Sequence, residues 1–304
     1  MSYHELWRLL AQVYDEGEAK ALARMVYEVR YGLSLADIYS GKDTQLSADS
    51  QTELTEISQR LLQQEPIQYI LGQATFCGRT FTVNPSVLIP RPETEELCRW
   101  ILKSEECESG GLSPCEVLDI GTGSGCIAIT LAAELPDARV TAWDISAEAL
   151  EVARENAKRA HVHVSFEQID ALKLNSLATP HAQRENATRN TLNAQRSHIV
   201  SNPPYICHRE REAMEANVLQ HEPHVALFVP DDDPLLFYRA IAQYGQTALR
   251  PGGWLYFEIN PLYATDLRDM LAMMSYRDIE TKEDQYGKQR MIRACREKGK
   301  KVRR

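Results

Sequence analysis

An apolar segment that runs into a glycine-rich turn, and then into a second apolar segment, restricts the fold of this chain most strongly. Residues 116–120 (EVLDI) have the composition of a buried parallel strand, and residues 126–132 (CIAITLA) can form a helix that packs on a sheet. Between them, Gly121, Gly123 and Gly125 permit tight backbone angles and the close approach of a ligand. Strand, turn and helix in this order predict an α/β fold with a ligand at the turn.

The glycine turn, residues 121–125, does not identify its ligand by itself. It could cradle the pyrophosphate of a dinucleotide, although its spacing is G-x-G-x-G rather than G-x-G-x-x-G. Asp119, at the end of the strand, is an acid that can meet a cationic amine on a ligand. The candidate cofactor-binding residues here are Asp119, Gly121, Thr122, Gly123, Ser124 and Gly125.

Two later acidic residues also follow strand-like segments. The strand predicted at 139–143 ends at Asp144, about twenty residues beyond the glycine turn, where a carboxylate is expected to take the two hydroxyls of a ribose. The strand predicted at 162–169 reaches Asp170, which either contacts an adenine amino group or opens a turn. Asp144 therefore favours a nucleoside cofactor and leaves both the nicotinamide and the sulfonium types open.

Residues 202–205 (Asn-Pro-Pro-Tyr), which we call the clamp, follow an apolar run at 197–200 that is typical of a buried parallel strand. They would lie at the carboxyl end of that strand, where open α/β sheets place their chemistry. Pro203 and Pro204 stiffen the loop and have no N–H, Asn202 adds an amide oxygen, and Tyr205 adds a flat ring with a polar tip. The pattern predicts a rigid, acceptor-rich site for a planar NH₂ group, although Asn-Pro-Pro is also a plausible structural turn.

The segments before and after these motifs predict the supporting elements. Apolar residues at helical spacing predict a small helical bundle over residues 1–65, either a docking module or a stabilising cap. Short β-prone pieces between glycines, including 69–72, predict a β-hairpin linker over residues 66–90. Pro92 is expected in the first turn of a helix. Near the end of the chain, a turn at 251–253 is expected to precede a strand, and two last strands are expected to form a hairpin.

Composition excludes several classes of protein. The formal net charge of −9 argues against broad binding to a nucleic-acid backbone. The seven cysteines are scattered without a C-x-x-C pair, which predicts neither a disulfide framework nor a zinc site, and no metal is expected. Because no apolar run approaches the length of a membrane span and no signal sequence is evident, we expect a cytoplasmic protein without membrane contact.

The motifs in combination are more specific than any one of them. The glycine turn, Asp144 and the clamp, in that order along one α/β domain, resemble the class I S-adenosylmethionine-dependent methyltransferases that act on a planar nitrogen. Together with the helical N-terminal region, residues 90–95 (Pro-Arg-Pro-Glu-Thr-Glu) and the Glu222-Pro223 pair, they resemble the peptide chain release factor glutamine N5-methyltransferases. This resemblance covers nearly the whole chain.

The resemblance implies methylation of the side-chain amide of the glutamine in a Gly-Gly-Gln tripeptide of release factors, with S-adenosylmethionine as cofactor. The glycine turn would bind the methionine part of the cofactor and Asp144 its ribose. The Asn202 oxygen and the Pro203 carbonyl would accept the two amide N–H groups, and Tyr205 would hold the amide plane. The implied catalytic residues are Asn202, Pro203 and Tyr205, and the substrate-binding residues are Asn202, Pro203, Pro204 and Tyr205. Asp170 and Asn202 also belong to the expected cofactor-binding residues.

The resemblance also implies an architecture. A seven-stranded Rossmann-like methyltransferase sheet at 91–296 would be joined through the linker to the bundle, which would dock the substrate, and 297–304 would be a basic tail. The sequence departs from the family at Ala171, where an aromatic residue often follows the adenine-side acid, and at Asn260, where glycine is more usual. The connection over 170–196 is also long.

Two other functions remain open at this stage. An adenine-N6 DNA or RNA methyltransferase could use the same clamp on an exocyclic amino group after base flipping. A non-catalytic nucleotide-binding protein could keep the fold without the reaction. We expect release factors as the partner, no stable binding of nucleic acid, and a monomer.

Overall fold

The structure is a computed structural model that describes residues 1–108, 115–174 and 195–297. The expected basic tail from residue 298 and most of the long 170–196 connection lie outside these residues. The helices are α1 (Tyr3–Leu10), α2 (Glu16–Tyr31), α3 (Leu35–Tyr39), α4 (Ala48–Leu62), α5 (Ile67–Leu71), α6 (Pro92–Glu108), α7 (Cys126–Glu134), α8 (Ala147–Arg159), α9 (Ala216–His221), α10 (Leu236–Ala248) and α11 (Ala264–Met273). The strands are β1 (Gln73–Phe76), β2 (Arg79–Thr82), β3 (Glu116–Ile120), β4 (Arg139–Asp144), β5 (Val164–Gln168), β6 (Arg196–Ser201), β7 (Ile206–Cys207), β8 (Phe228–Val229), β9 (Leu249–Glu258), β10 (Tyr276–Glu283) and β11 (Gln289–Arg296).

The chain divides into two compact units. The first comprises residues 1–73, 83–85 and 214–222, and the second comprises 74–82, 86–213 and 223–304. None of the helices in the described ranges is both long and apolar enough to cross a membrane. The cysteines of the described side chains are free thiols.

The first unit is helical because its apolar stripes are bounded by good caps. Ser2 and Glu5 form a reciprocal capping box at the start of α1, and Asp15 caps α2 by accepting the Glu18 N–H. The helices bury one shared core, which includes Leu6, Leu10, Ala19, Ala23, Val26, Tyr27, Leu54, Leu61 and Ile67. The prediction of a helical N-terminal region is therefore confirmed at the level of secondary structure.

One local prediction in this region is wrong. Residues 69–72 were expected to be β-prone, but Ile67–Leu71 is the short helix α5, which begins after Pro66 and ends at Gly72 with φ of 70°. The helix turns Ile67, Ile70 and Leu71 toward the core of the first unit, and this burial outweighs the weak strand preference of single residues. The expected hairpin survives as the two-stranded sheet β1–β2.

The second unit contains a seven-stranded sheet in the order β10-β11-β9-β6-β3-β4-β5 among the described residues. Strands β9, β6, β3, β4 and β5 are parallel neighbours, while β11 is antiparallel to both β9 and β10. The predicted seven-stranded methyltransferase-type sheet and its closing hairpin are confirmed. Strand order reverses between β3 and β6, and such a switch point opens a crevice at the carboxyl ends of the strands.

The start of β9 corrects a second local prediction. Residues 251–253 were expected to form a turn before the strand, but they lie inside Leu249–Glu258, where the pairing with β6 shifts register between Arg196 and His198. A Cβ on Gly253 would lie 2.9 Å from the Ser197 carbonyl oxygen, so the glycine admits the close approach of β6. The turn residues therefore form an irregularity within the ladder.

Both faces of the sheet are covered, which buries its central strands. Strand residues Val117, Val140 and Val200 pack with residues of α6 and α7 in one core cluster. Leu118 and Ile120 pack with residues of α10 and α11 in the other. Since successive strand residues point to opposite faces, this alternation explains why the central strands are apolar almost throughout.

Candidate active site

The topology brings the glycine turn and the clamp together. Strands β3 and β6 are adjacent and parallel, with Asp119 of β3 opposite Val200 of β6. The glycine turn follows β3 and the clamp follows β6, so both leave the sheet at the same edge and next to each other. This is the crevice expected at a switch point, and residues about eighty positions apart in the chain become neighbours there.

A cavity of about 290 Å³ occupies this crevice, close to the size range of small-molecule sites. Its lining includes four sets of residues that matter for the site: the segment from Ser86 to Arg91 with Thr94, the glycine turn from Gly121 to Ser124, the acid-bearing segments Asp144–Ser146 and Asp170–Leu172, and the clamp residues Asn202–Pro204. Other residues, including Phe237 and Ile241 of α10, complete the wall. The structure thus brings nine of the sequence-predicted site residues together. Asp119, Gly125 and Tyr205 are not among the residues that line the cavity.

The three glycines have different roles in the turn. Gly121, Gly123 and Gly125 all have positive φ values of 76°, 53° and 81°. A Cβ on Gly121 or Gly123 would meet nothing within 4 Å, whereas one on Gly125 would lie 2.8 Å from Ile129 Cδ1. Gly121 and Gly123 therefore form the open wall of the cavity, and Gly125 lets helices α7 and α8 approach.

Asp144 is held in place by the glycine turn itself. Its Oδ2 accepts the Gly123 N–H at 2.8 Å, and its Oδ1 accepts the Ser146 N–H at 2.9 Å. Burial raises the pKa of Asp144, and hydrogen bonds from the backbone of Ser146, Gly123 and Ile145 oppose the rise. Since an ionised carboxylate can accept about four hydrogen bonds, Asp144 keeps acceptor capacity for hydroxyl groups from the cavity.

Asp119 lies behind the turn, fully buried. Its Oδ2 accepts the Thr122 hydroxyl at 2.6 Å, while its Oδ1 has no hydrogen-bond partner in the described part of the structure. Burial raises the pKa of Asp119 to about 7, although the Thr122 hydrogen bond lowers it. A buried carboxylate with an unpaired oxygen next to a ligand cavity suits a cationic group, which would supply the missing partner.

Asp170 opens a turn, one of the two expectations for it. Its Oδ1 accepts the Leu172 N–H at 2.9 Å, and its Oδ2 lies 3.1 Å from Lys173 Nζ. Asp170 also lines the cavity beside Ala171 and Leu172. Where an aromatic residue would stack on a base, this chain offers the half-exposed side chains of Ile145 and Leu172, which are 49% and 42% exposed.

The clamp is tied to two residues that sequence analysis did not select. Asn202 Nδ2 donates to Thr94 Oγ1 at 3.3 Å, and Thr94 Oγ1 donates to Glu258 Oε2 at 2.6 Å. Thr94 lies in the first turn of α6 and Glu258 is the last residue of β9; they are 3% and 2% exposed. Burial raises the pKa of Glu258, and the hydrogen bonds from Thr94 and Tyr205 oppose the rise.

Tyr205 faces away from the cavity. Its hydroxyl donates to Glu258 Oε1 at 3.1 Å, its ring packs against the core cluster under the sheet, and burial raises its pKa. Its backbone oxygen accepts from Asn260 Nδ2 at 3.1 Å, and the same amide donates to the Glu210 carboxylate. Asn260, the departure noted in the sequence, thus braces the carboxyl end of the clamp.

The short parallel pair β7–β8, which sequence analysis did not predict, secures the same segment. Ile206 pairs with Phe228 and Cys207 with Val229, directly after the clamp. Asn260 and this pair both fix the carboxyl end of the clamp, and the Asn202–Thr94 hydrogen bond holds its amino end. A stiff loop of this kind keeps the Asn202 amide at a constant position.

The residues of the Pro-Arg-Pro-Glu-Thr-Glu segment, 90–95, and Glu96 after it have different positions relative to the cavity. Arg91 does line the cavity. Glu95 instead accepts the Cys77 N–H at 2.9 Å, and Glu96 accepts the Gln285 N–H at 3.1 Å, so these two acids hold neighbouring segments. Glu258 could have been found in the sequence as an acid at the end of the strand next to the clamp strand.

Comparisons with known proteins agree with this architecture. Residues 117–186 match the family model described as "Methyltransferase domain", and residues 4–72 match "PrmC N-terminal domain". The chain is 48% identical over 287 residues to the "Release factor glutamine methyltransferase" of Bacteroides thetaiotaomicron, covering 94% of this chain and 96% of that protein. It is 40% identical over 284 residues to the protein of the same name from Flavobacterium psychrophilum, covering 93% and 94%.

One solved structure with low sequence identity resembles this chain in its fold, and the comparison concerns the fold only. The hMettl16 catalytic domain, in complex with MAT2A 3'UTR hairpin 6, matches with a TM-score of 0.50 and 13% sequence identity. The match covers 71% of this chain and 74% of that one.

Proposed function

Since this chain belongs to the family of release factor glutamine methyltransferases, we propose that it transfers a methyl group from S-adenosylmethionine to the side-chain amide nitrogen of a glutamine in peptide chain release factors. The observation that carries the proposal is one cavity that places the Asn202 amide opposite the glycine turn. A ligand-binding wall and a carboxamide-sized polar clamp thus share a single space. The substrate atom would be N5 of the glutamine in the Gly-Gly-Gln tripeptide that the sequence resemblance implies.

The residues around the cavity fit the cofactor. Asp144 keeps acceptor capacity for the ribose hydroxyls, and the unpaired Oδ1 of buried Asp119 suits the cationic amine of the methionine part. Gly121 and Gly123 leave open space at the wall. We assign Gly121–Gly125 and Asp119 to the methionine part, Asp144 to the ribose and Asp170 to the adenine side. When bound, S-adenosylmethionine supplies a methyl group already activated by the positive sulfur.

The chain's own contribution to the reaction is positioning. An amide nitrogen is a weak nucleophile because its lone pair is delocalised into the carbonyl group. In our proposal the Asn202 Oδ1 and the Pro203 carbonyl accept the two N–H groups of the substrate, which fixes the nitrogen and raises its electron density. Release of one proton from the methylated nitrogen to water leaves a neutral amide, so the site needs acceptors rather than a strong base.

Tyr205 acts from behind in this proposal. Its hydroxyl is engaged by Glu258 and its backbone by Asn260, so it holds the clamp segment against the sheet. Pro203 and Pro204 restrict the backbone between Asn202 and Tyr205. The amide plane of the substrate would thus be held by a rigid loop supported by Tyr205.

The experiment is transfer of labelled methyl groups to three substrates: a purified release factor, its variant with alanine in place of the tripeptide glutamine, and DNA oligonucleotides containing adenine. We expect label on the unaltered factor alone. Label on the oligonucleotides, or on the alanine variant of the factor, would contradict the proposed substrate. The oligonucleotide arm tests the adenine-N6 alternative directly.

We further propose that the helical unit over residues 1–65 docks the release factor, and that the protein acts in the cytoplasm as a monomer without stable nucleic-acid binding. Met25 and Val29 lie one turn apart on α2 and are 39% and 41% exposed. Changing both to serine should raise the KM for the intact factor and leave the KM for a short Gly-Gly-Gln peptide unchanged. An unchanged KM for the factor would count against docking through this face.

A further inference from the structure

The hydrogen bonds behind the clamp form a chain with a defined direction. Glu258 accepts from Tyr205 through Oε1 and from Thr94 through Oε2, and Thr94 Oγ1 lies 3.3 Å from Asn202 Nδ2. These side chains come from separate elements, β9, α6 and the two ends of the clamp. The chain therefore connects a buried carboxylate to the amide that faces the cavity.

The direction of the chain decides which end of the Asn202 amide faces the cavity. Both oxygens of Glu258 accept hydrogen bonds, from Tyr205 and from Thr94, so the single proton of the Thr94 hydroxyl is committed to Glu258. Thr94 Oγ1 can then only accept from Asn202, which must present its NH₂ to Thr94. Oxygen and NH₂ of an asparagine amide are nearly equal in shape, so packing alone cannot make this choice.

We infer that Glu258, acting through Thr94, is a positioning residue that keeps the oxygen of the Asn202 amide turned toward the substrate. The inference rests on the proposed role of Asn202 as an acceptor for the substrate N–H. If the amide were reversed, its NH₂ would meet the NH₂ of the substrate glutamine, donor against donor. One orientation binds the substrate and the other repels it.

The burial of Glu258 supports a functional role over a structural one. Glu258 is 2% exposed, its two hydrogen-bond donors are neutral hydroxyls, and the positive charge of Arg290 lowers its pKa less than burial raises it. Burying a carboxylate is unfavourable, and a neutral side chain of the same shape would satisfy the fold at lower cost. Residues that violate such rules are expected at functional sites.

The substitution Glu258→Gln should reverse the direction of the hydrogen bonds from Glu258 through Thr94 to Asn202. Tyr205 has no other hydrogen-bond acceptor for its hydroxyl among the described residues, so it keeps donating to the Gln oxygen. The Gln NH₂ then donates to Thr94, the Thr94 hydroxyl donates to Asn202, and the amide turns over. Because the reversed arrangement makes about one more hydrogen bond than the original one in this variant, most molecules should adopt it. We therefore expect kcat/KM to fall about 10-fold or more.

Removing the Thr94 hydroxyl should cancel that effect. In Thr94→Val no side chain fixes the orientation of the Asn202 amide, so about half of the molecules present its oxygen to the substrate and its position is less well defined. We therefore expect kcat/KM to fall by about 2- to 10-fold. Adding Glu258→Gln to Thr94→Val should change kcat/KM by less than about 3-fold, so the loss in the double variant is smaller than the product of the two single losses. Thr94→Ser keeps the hydroxyl and should stay within about 2-fold of the wild type.

The experiment measures all four variants for methyl transfer to release factor, cofactor Kd and Tm. It also follows the Asn202 side-chain NH₂ signals by NMR, assigned by their loss in Asn202→Ala. We expect these signals to shift in Glu258→Gln and to return toward those of Thr94→Val in the double variant. Additive losses of kcat/KM, or unshifted NH₂ signals in Glu258→Gln, would overturn the positioning role. Transfer by the wild type establishes the proposed function separately, and the NMR result does not depend on it.

Discussion

Replacing Asn202 with alanine separates the clamp's role in the reaction from its role in the fold. The structural loss is small, because the Asn202–Thr94 hydrogen bond is neutral and long at 3.3 Å, and Thr94 keeps its stronger bond to Glu258. Such a bond contributes about 1 kcal/mol or less to the free energy of unfolding. The Tm should therefore fall by only a few degrees.

The loss in the reaction should be much larger. Without Oδ1 one substrate N–H is unpaired in a water-poor site, and the Pro203 carbonyl alone cannot fix the amide plane. Removing one preorganised partner of a reacting group typically raises the barrier by about 2.7–4 kcal/mol, or roughly 100- to 1,000-fold in kcat. Cofactor affinity should change less than about 5-fold, because Asp144 and the glycine turn keep their contacts.

The assay is single-turnover methyl transfer to a release factor, with cofactor Kd from calorimetry and Tm from scanning calorimetry on the same preparations. The test compares the fold-decrease in the methyl-transfer rate with the fold-increase in cofactor Kd. Equal losses of both, or a rate within a few-fold of the wild type, would refute the role that we assign to Asn202.

Three further outcomes follow from the geometry. Gly125→Ala should lower the free energy of unfolding by about 2–4 kcal/mol, because it adds a 2.8 Å contact with Ile129 to the strain of a positive φ. Gly287→Ala, with a similar φ and open space around the Cβ, should lower it by only about 1 kcal/mol. Equal losses in urea unfolding would contradict the packing argument. Asp144→Asn places an NH₂ group opposite either the Gly123 or the Ser146 N–H, where the carboxylate had an acceptor. The cofactor Kd, measured by calorimetry, should therefore rise about 10- to 100-fold. The matched control is Asp269→Asn at an exposed position, which should leave the cofactor Kd unchanged. Asp119 has a folded-state pKa of about 7 against an ordinary value of 3.8, so it takes up a proton on folding between these pH values. The free energy of unfolding, relative to that of Asp119→Asn, should therefore fall by at most about 4 kcal/mol as the pH rises from about 4 to about 7. A difference between the two proteins that does not change with pH would rule this out.

Local chemistry in the sequence was enough to predict the elements that recur in any chain with these motifs. The strand, glycine turn and helix at 116–132 follow from apolar pattern and glycine placement, and the acid-ending strand β4 follows from its own composition. The start of α6 at Pro92 and the closing β10–β11 hairpin were predicted for the same reason. Each of these features depends on residues within about twenty positions of one another.

Features that depend on a balance between local preference and packing were predicted less well. Tyr69 and Ile70 favour a strand by composition, yet burial against the first unit's core makes Ile67–Leu71 a helix. Pro251 and Gly252 signal a turn, yet the approach of β6 at Gly253 keeps them in the ladder. The energies of these choices reside in contacts with distant residues, which a local pattern does not contain.

The sequence by itself determined the composition of the site: an acid for hydroxyls, a glycine wall and an amide with prolines. Only the tertiary structure decided that Asn202, Thr94 and Glu258 touch, since they are separated by 108 and 164 positions along the chain and meet through the order of parallel strands. The direction of a hydrogen bond depends on which proton is already committed elsewhere. That information exists only once the partners are in contact, and it is what turns an asparagine in a loop into an oriented acceptor.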